Sequence, residues 1–524
     1  MIKIAGENRF FYSVLSFLIF LHLFLIFRQT LYPFLDLPGH LAAATIYKYI
    51  SDPESLFADY YAIDIFLKPN IAHLLFCSTT VFSSVMTAHK IFLGLYVILF
   101  PVSTLLLIKK LNGNIWYTLL VFPYLYNYNL MMGFVGFAIA VPLVILFCRL
   151  LGDYTDESTP TFKLTLSLCF ILLYFVHALA SLFALLVFAV YCRYRFRRLK
   201  KTLWSLMPAL PAVALLVGWW ISENGHDAYP GLFEFASDYY LHDYFPTLLK
   251  RARLVAFDNY RLFPRYLGYS AGILFFIAAV GPALYGIFKN RGLFGERLKQ
   301  HRLEPLRLFL FCALTCFVLL PAGLPGQSYL YHRFAVYVCL FLIIIGAALS
   351  RKKFNHLQIA AVIALGLLHF GLYFDYFRDF DRANESIDAE FFSDLQPDGR
   401  LVGMIADKEY RGHAVYIHFP DYYIVFNRGI NATCLTKHRF GTIRRRTSFT
   451  ILAPYEEDMR ESAIIDEFYP YMDYILGRGK IPEKYENLMI DFRIIRTANG
   501  WSLYKRIDKP NLLPETTGDR PFNP

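Results

Sequence analysis

A chain of 524 residues that is 56% hydrophobic and 18% aromatic, with a mean hydropathy of +0.39, carries more apolar side chain than a water-soluble fold can hide. Its formal charge of +11 does not mark a nucleic-acid partner. The basic residues fall in clusters between apolar runs, where they read as cytoplasmic loops of a multi-pass membrane protein whose partners are membrane lipids.

The apolar runs predict about eleven transmembrane helices, since roughly 17 to 20 residues cross a hydrocarbon core of about 30 Å. Residues 10–27 exceed a signal-peptide core and no small-residue cleavage site follows, so they are read as a retained helix running outward from a cytoplasmic N-terminus. Residues 29–89 then form a first outer loop. Its stretches 41–50 and 71–86 are interspersed with Ser, Thr and His and suit helices lying in the interface. Residues 90–108 return to Lys109 and Lys110, and 115–130 with 133–150 make an outward hairpin that turns at Asn127, Tyr128 and Asn129. The run 162–191 has Arg149 and Lys163 at one end and Arg193, Arg195, Arg197, Arg198, Lys200 and Lys201 after the other. Starting and ending inside, it is read as two short helices bent near His177; one long tilted helix is the rival reading. Residues 202–221, a long outer loop 222–267, and runs 268–288, 306–320, 333–350 and 357–374 complete a membrane module over 1–374. Lys289, Arg291, Arg297, Lys299, Arg302 and the basic run 351–353 mark its remaining inner loops.

At Asp375 the composition turns polar. Short β-rich runs at 401–405, 415–418, 422–426, 449–452 and 490–495, with a helical stretch near 461–469, predict a soluble α/β domain over 375–508 on the outer side. Residues 509–524, with prolines and no periodicity, are read as a disordered tail. Seven of the eight cysteines lie within or beside apolar runs and Cys434 stands apart, so there is no disulfide framework or paired-cysteine zinc spacing.

Polar residues that are costly near lipid gather on the outer face in this threading. Asp36 follows the first helix within a Phe-Leu-Asp-Leu-Pro-Gly-His segment; it acts as a base or holds a cation at the lipid surface, or it is the N-cap of a helix that Pro38 begins. His40 lies one helical turn on. Lys68, before Pro69 and Asn70, would reach headgroup level, to hold a substrate phosphate or to snorkel. His73 is read as a packed or interfacial histidine, whereas His177 in an apolar run needs a polar partner or a wet cavity. Arg333 opens a helix, where a cation opposes the dipole and invites an anion: a phosphate, or a carboxylate such as Asp36. Gln327, Tyr331 and His332 lie in the loop before it. His226 with Asp227 and His242 with Asp243 could hold a divalent cation, but their spacing is not diagnostic, and no other cofactor is suggested.

The layout of residues 10–374 resembles the GT-C glycosyltransferases, in particular the branch of aminoarabinose and protein O-mannosyl transferases. Asp36 matches that family's acidic residue after the first helix, Lys68-Pro69-Asn70 its Lys-Pro-Pro segment with the second proline lost, and Arg333-Phe334 its Arg-aromatic pair. The second acidic residue or tyrosine often found beside the first is missing, with Leu37-Pro38-Gly39-His40 in its place. The resemblance implies a GT-C-like fold in a bacterial plasma membrane and a polyprenyl-phosphate-linked sugar donor. Asp36 and His40 would be catalytic; Lys68, Arg333, His332 and His177 would hold the lipid phosphate; Asn127, Asn129, Tyr331 and Gln327 would contact sugar or acceptor. A single inverting displacement is expected. A polysaccharide polymerase or ligase, a lipid-linked-sugar flippase and a non-catalytic envelope-assembly protein are the alternatives.

Overall fold

The structure, a computed structural model, describes residues 2–155, 157–224, 244–256, 263, 265–289, 303–324, 327–350, 353–396, 399–431, 441–446, 471–481 and 483–508. Within them, seven helices are long and apolar enough to cross a membrane: Arg9–Arg28, Val85–Lys110, Ala178–Phe196, Leu199–Ser222, Leu267–Tyr285, Tyr331–Leu349 and His356–Asn384. Val135–Leu151 and Pro160–Val176 are apolar but shorter. This is the build of a multi-pass helical membrane protein.

Local chemistry explains where the elements depart from a simple count of apolar runs. Residues 115–130, expected as one spanning helix, form a 3-10 helix Ile115–Tyr124 and a single turn Tyr128–Met131. Asn114 caps the first by accepting from the Trp116 N–H, and Pro123 sits inside it. The Leu199–Ser222 stretch is interrupted by the 3-10 turn Met207–Ala209, which contains Pro208, as expected where a proline cannot donate its N–H.

The turn at His177 is built by its extended backbone, φ −164° and ψ 117°. Its N–H bonds the Leu173 carbonyl at 2.7 Å, closing helix Pro160–Val176, and its own carbonyl accepts from Ser181 at 3.0 Å, opening helix Ala178–Phe196. The two helices fold back on each other, with the Phe170 and Phe188 rings 5.2 Å apart. One unbroken helix would hold those residues about 27 Å apart.

The chain divides into two compact units, Met1–Arg28 with Leu93–Leu130 and Val135–Asp375, and Gln29–Phe92 with Met131–Phe134 and Tyr376–Pro524. In the first, the 3-10 segment approaches helix Ala335–Leu349 closely, the Asn114 N–H bonding the Ala347 carbonyl at 3.1 Å. In the second, five strands lie in the order Phe492–Ala498, Trp501–Arg506, Tyr474–Arg478, Arg400–Ile405, Ile430–Asn431. The first three neighbours pair antiparallel and the last three parallel.

Val402, Met404, Ile475 and Phe492 form the core on this sheet. A second core joins Ala42, Ile46, Phe57 and Tyr61 to Ile424, Ile430 and Ile443. Residues 29–89, expected as a loop of the membrane module, therefore belong to Gln29–Phe92, which packs with the C-terminal part of the chain.

Two expected strands are not strands. Residues 422–426 lie in helix Tyr422–Asn427, entered through the 3-10 turn Phe419–Asp421 with Pro420. Of 415–418 none is in a strand; the nearby pairing is a short ladder of Glu409–Tyr410 with His413–Ala414. Strand 449–452, helix 461–469, Cys434 and residues 509–524 lie outside the described residues.

Candidate functional site

In the second unit, Asp36 occupies the N-cap position of helix Leu37–Tyr49, with Pro38 in the first turn, yet its side chain makes no capping hydrogen bond. Its Oδ1 lies 3.6 Å from Nε2 of His418, whose side chain is 4% exposed against 25% for the carboxylate. The backbone under Asp36 is fixed by the short segment Met131–Phe134: the Leu35 and Asp36 N–H groups donate to the Met131 and Met132 carbonyls at 3.1 and 3.2 Å. Gly133 is needed there. Its φ is +86°, and a Cβ would meet the Asp36 nitrogen at 2.5 Å. His413 Nε2 also bonds the Met131 carbonyl, at 3.1 Å.

A group of histidines continues from Asp36. The His40 N–H bonds the Asp36 carbonyl at 3.1 Å, and the solvent-exposed His40 ring stands edge-on to that of His73 at 6.1 Å. His73 Nε2 lies 3.0 Å from His89 Nδ1 and 3.4 Å from Cys77 Sγ. His73, Cys77 and His89 are all buried. Burial first, then the neighbouring His89 and His40, holds the His73 pKa well below the usual imidazole value. Burial pushes the Cys77 thiol up to about 12. Without a ligand, His73 and Cys77 are thus neutral at physiological pH.

Lys68 is not at an open surface. It is 1% exposed; its Nζ lies 3.1 Å from Asp64 and donates to the Gly441 carbonyl at 2.8 Å. Asp64 is also 2.5 Å from Arg444. Beside this cluster, Tyr61–Ile63 pairs antiparallel with Ile443–Arg445. The expectation of a lysine reaching the headgroups is replaced by a buried cation that ties residues 61–68 to 441–445.

In the first unit, Arg333 lies in the 3-10 turn Tyr331–Phe334 that leads into helix Ala335–Leu349. It is 8% exposed, and its Nη1 is 3.4 Å from His177 Nε2. Phe137 backs both groups, 5.9 Å from the guanidinium and 5.1 Å from the imidazole. The Tyr331 ring stacks on His332 at 3.8 Å, and Arg251 covers Tyr331 at 3.8 Å while donating to the Leu320 carbonyl at 2.7 Å. Asn127, Asn129 and His332 line one small cleft with Tyr124 and Tyr128. Asn127 is spent on the fold: its amide donates to Tyr96 and the Tyr124 carbonyl and accepts from the Asn129 N–H. Asn129 Oδ1 and His332 Nδ1 are buried with no hydrogen-bond partner among the described residues. Gln327 pairs with Leu324 in a two-stranded ladder.

Sequence reading singled out Asp36, His40, Arg333, His177, Asn127, Asn129 and His332, and did not single out His418, Arg251 or the close approach of His73, Cys77 and His89. The last three had a legible signal in the four-residue His-to-Cys spacing on helix Ala72–Ser78. Also missed were His22 and His369, buried in candidate spans, with His22 Nδ1 3.1 Å from the Tyr126 hydroxyl and the two imidazole rings 5.6 Å apart. His226, Asp227, His242 and Asp243 lie outside the described residues. Comparison of the chain with protein-family models and with curated proteins finds no match.

Proposed function

We propose that this chain is a GT-C-like glycosyltransferase. It has about eleven membrane crossings, a cytoplasmic N-terminus and a C-terminal α/β domain on the outer face of a bacterial plasma membrane. It moves a sugar from a polyprenyl-phosphate donor to a hydroxyl of a lipid, glycan or protein acceptor. One observation carries the reading: Asp36 stands where a helix cap is expected, yet its partly exposed carboxylate is withheld from the helix and faces buried His418. A carboxylate so held serves a proton better than it serves the fold.

In the reaction, Asp36 takes the proton of the acceptor hydroxyl as its oxygen attacks the anomeric carbon. The bond from that carbon to the phosphate oxygen breaks, polyprenyl phosphate departs, and the anomeric configuration inverts. The phosphate charge that grows as the bond breaks calls for a cation beside it. Lys68, already engaged with Asp64, is given no part in it.

The test is transfer from a polyprenyl-phosphate sugar in vesicles containing purified protein. Asp36→Asn is expected to lower turnover by roughly 10²- to 10⁴-fold with little change in donor KM, as for loss of a general base. Wild-type turnover by Asp36→Asn would overturn the proposal.

A further inference from the structure

We propose that His73, Cys77 and His89 form a binding site for one zinc ion, separate from the transfer chemistry. His73 and Cys77 are four residues apart on helix Ala72–Ser78 and so share a face. His89 comes from the first turns of helix Val85–Lys110. Their ligand atoms all lie within 4.8 Å of one another. A tetrahedral zinc with bonds of about 2.05 Å to nitrogen and 2.3 Å to sulfur would set N···N near 3.3 Å and N···S near 3.6 Å. The distances from His73 Nε2, 3.0 Å to His89 and 3.4 Å to Cys77, are a few tenths of an ångström shorter. Small side-chain rotations would admit the ion.

The metal-free arrangement is poorly closed as a hydrogen-bond network. His73 Nε2 has one lone pair or one N–H, not both, so the Nδ1 of His89 and the thiol compete for it. His89 Nε2 is buried with no hydrogen-bond partner among the described residues. All three side chains are at least nine-tenths buried, His73 at 4% exposure and the other two at 0%. An ion between them would engage all three donor atoms at once. Two imidazoles and a thiolate suit zinc better than the hard cations, which prefer oxygen. Three protein ligands leave the fourth tetrahedral position for water.

The experiment uses the full chain purified in detergent without chelator. Elemental analysis is expected to find about one zinc per chain. After zinc removal, titration with cobalt(II) alone should produce a thiolate-to-cobalt charge-transfer band. Cys77→Ser should abolish that band, and Cys148→Ser, which alters a buried thiol elsewhere, should leave it intact. The cobalt titration of wild-type protein reads the site even if Cys77→Ser fails to fold. Absence of zinc together with no cobalt band in the wild type would overturn the proposal, as would a band that survives in folded Cys77→Ser. Copper(I) recovered in place of zinc would overturn the assignment of the ion.

Discussion

Replacing Gly133 with alanine tests how Asp36 is positioned. The new Cβ would lie 2.5 Å from the Asp36 nitrogen and 2.8 Å from that of Leu37, at a φ of +86°. Both contacts are with backbone, so the segments must separate by about 1 Å, stretching the two hydrogen bonds from Leu35 and Asp36 to Met131 and Met132. A left-handed alanine costs about 1–2 kcal/mol, and each weakened hydrogen bond adds about 0.5–1 kcal/mol. For a unit of about 200 residues, the resulting ~3 kcal/mol corresponds to a Tm lower by roughly 6–12 °C. A base displaced by about 1 Å should also lose about 100-fold in turnover. Thermal unfolding followed by intrinsic fluorescence in detergent, with vesicle transfer assays on the same preparation, measures both. Gly371→Ala is the control: nothing lies within 4 Å of its added Cβ, it sits within helix His356–Asn384, and alanine there should be neutral or stabilising by up to about 1 kcal/mol. If Gly133→Ala melts and turns over like wild type, the grip of Met131–Phe134 on Asp36 is refuted.

Lys68→Met should cost about 2–3 kcal/mol, below the usual cost of opening a buried pair because Asp64 keeps Arg444. Denaturant unfolding will show the loss, whereas an unchanged stability with a raised donor KM would mean that Lys68 binds phosphate. Cysteines at positions 170 and 188 should cross-link with a short bismaleimide, as read by peptide mass spectrometry, since the native rings are 5.2 Å apart; failure to cross-link would favour one long helix. In chelator-treated protein, His73 has a folded pKa below its unfolded 6.5, so the unfolded chain takes up the proton first. Its contribution is present above pH 6.5 and is lost as pH falls below it, by up to about 1.4 kcal/mol per pH unit. A Tm series from pH 7.5 to 4.5 should slope downward in wild type and less steeply in His73→Gln; equal slopes would show that His73 is not the group responsible.

The helical membrane build was legible because each long apolar run declares its solvent, whatever it packs against. The turn at His177 was legible for a related reason: basic residues at both ends of one run demand an even number of crossings. The 3-10 helix Ile115–Tyr124 was not, since hydropathy counts Pro123 and Asn114 only weakly while both act on backbone hydrogen bonding. The strand expected at 422–426 failed for want of a period. Tyr422, Tyr423 and Ile424 are all buried, and a short run apolar on every side fits a buried strand and a buried helix equally well. The packing of residues 29–92 with the C-terminal part depends on pairs such as Tyr61 with Arg445, whose separation in sequence leaves no local trace.

The candidate site divides along the same line. Asp36 was legible from its neighbours, because a carboxylate among apolar residues at the end of a spanning helix is costly wherever it points. The neighbours of Lys68 misled: a lysine before proline reads as a surface cation, and only Gly441 and Arg444, far along the chain, make it an internal tie. His73 was dismissed singly, and singly that is sound, since an isolated buried imidazole is ordinary packing. What changes the odds is concurrence. Cys77 follows at the same-face spacing, and the chain returns His89 to within 3.0 Å of the same nitrogen. Each residue alone is explained by the fold, but three metal-ligating atoms competing for one position are not explained by apolar packing, which would have been served as well by leucine at any of them.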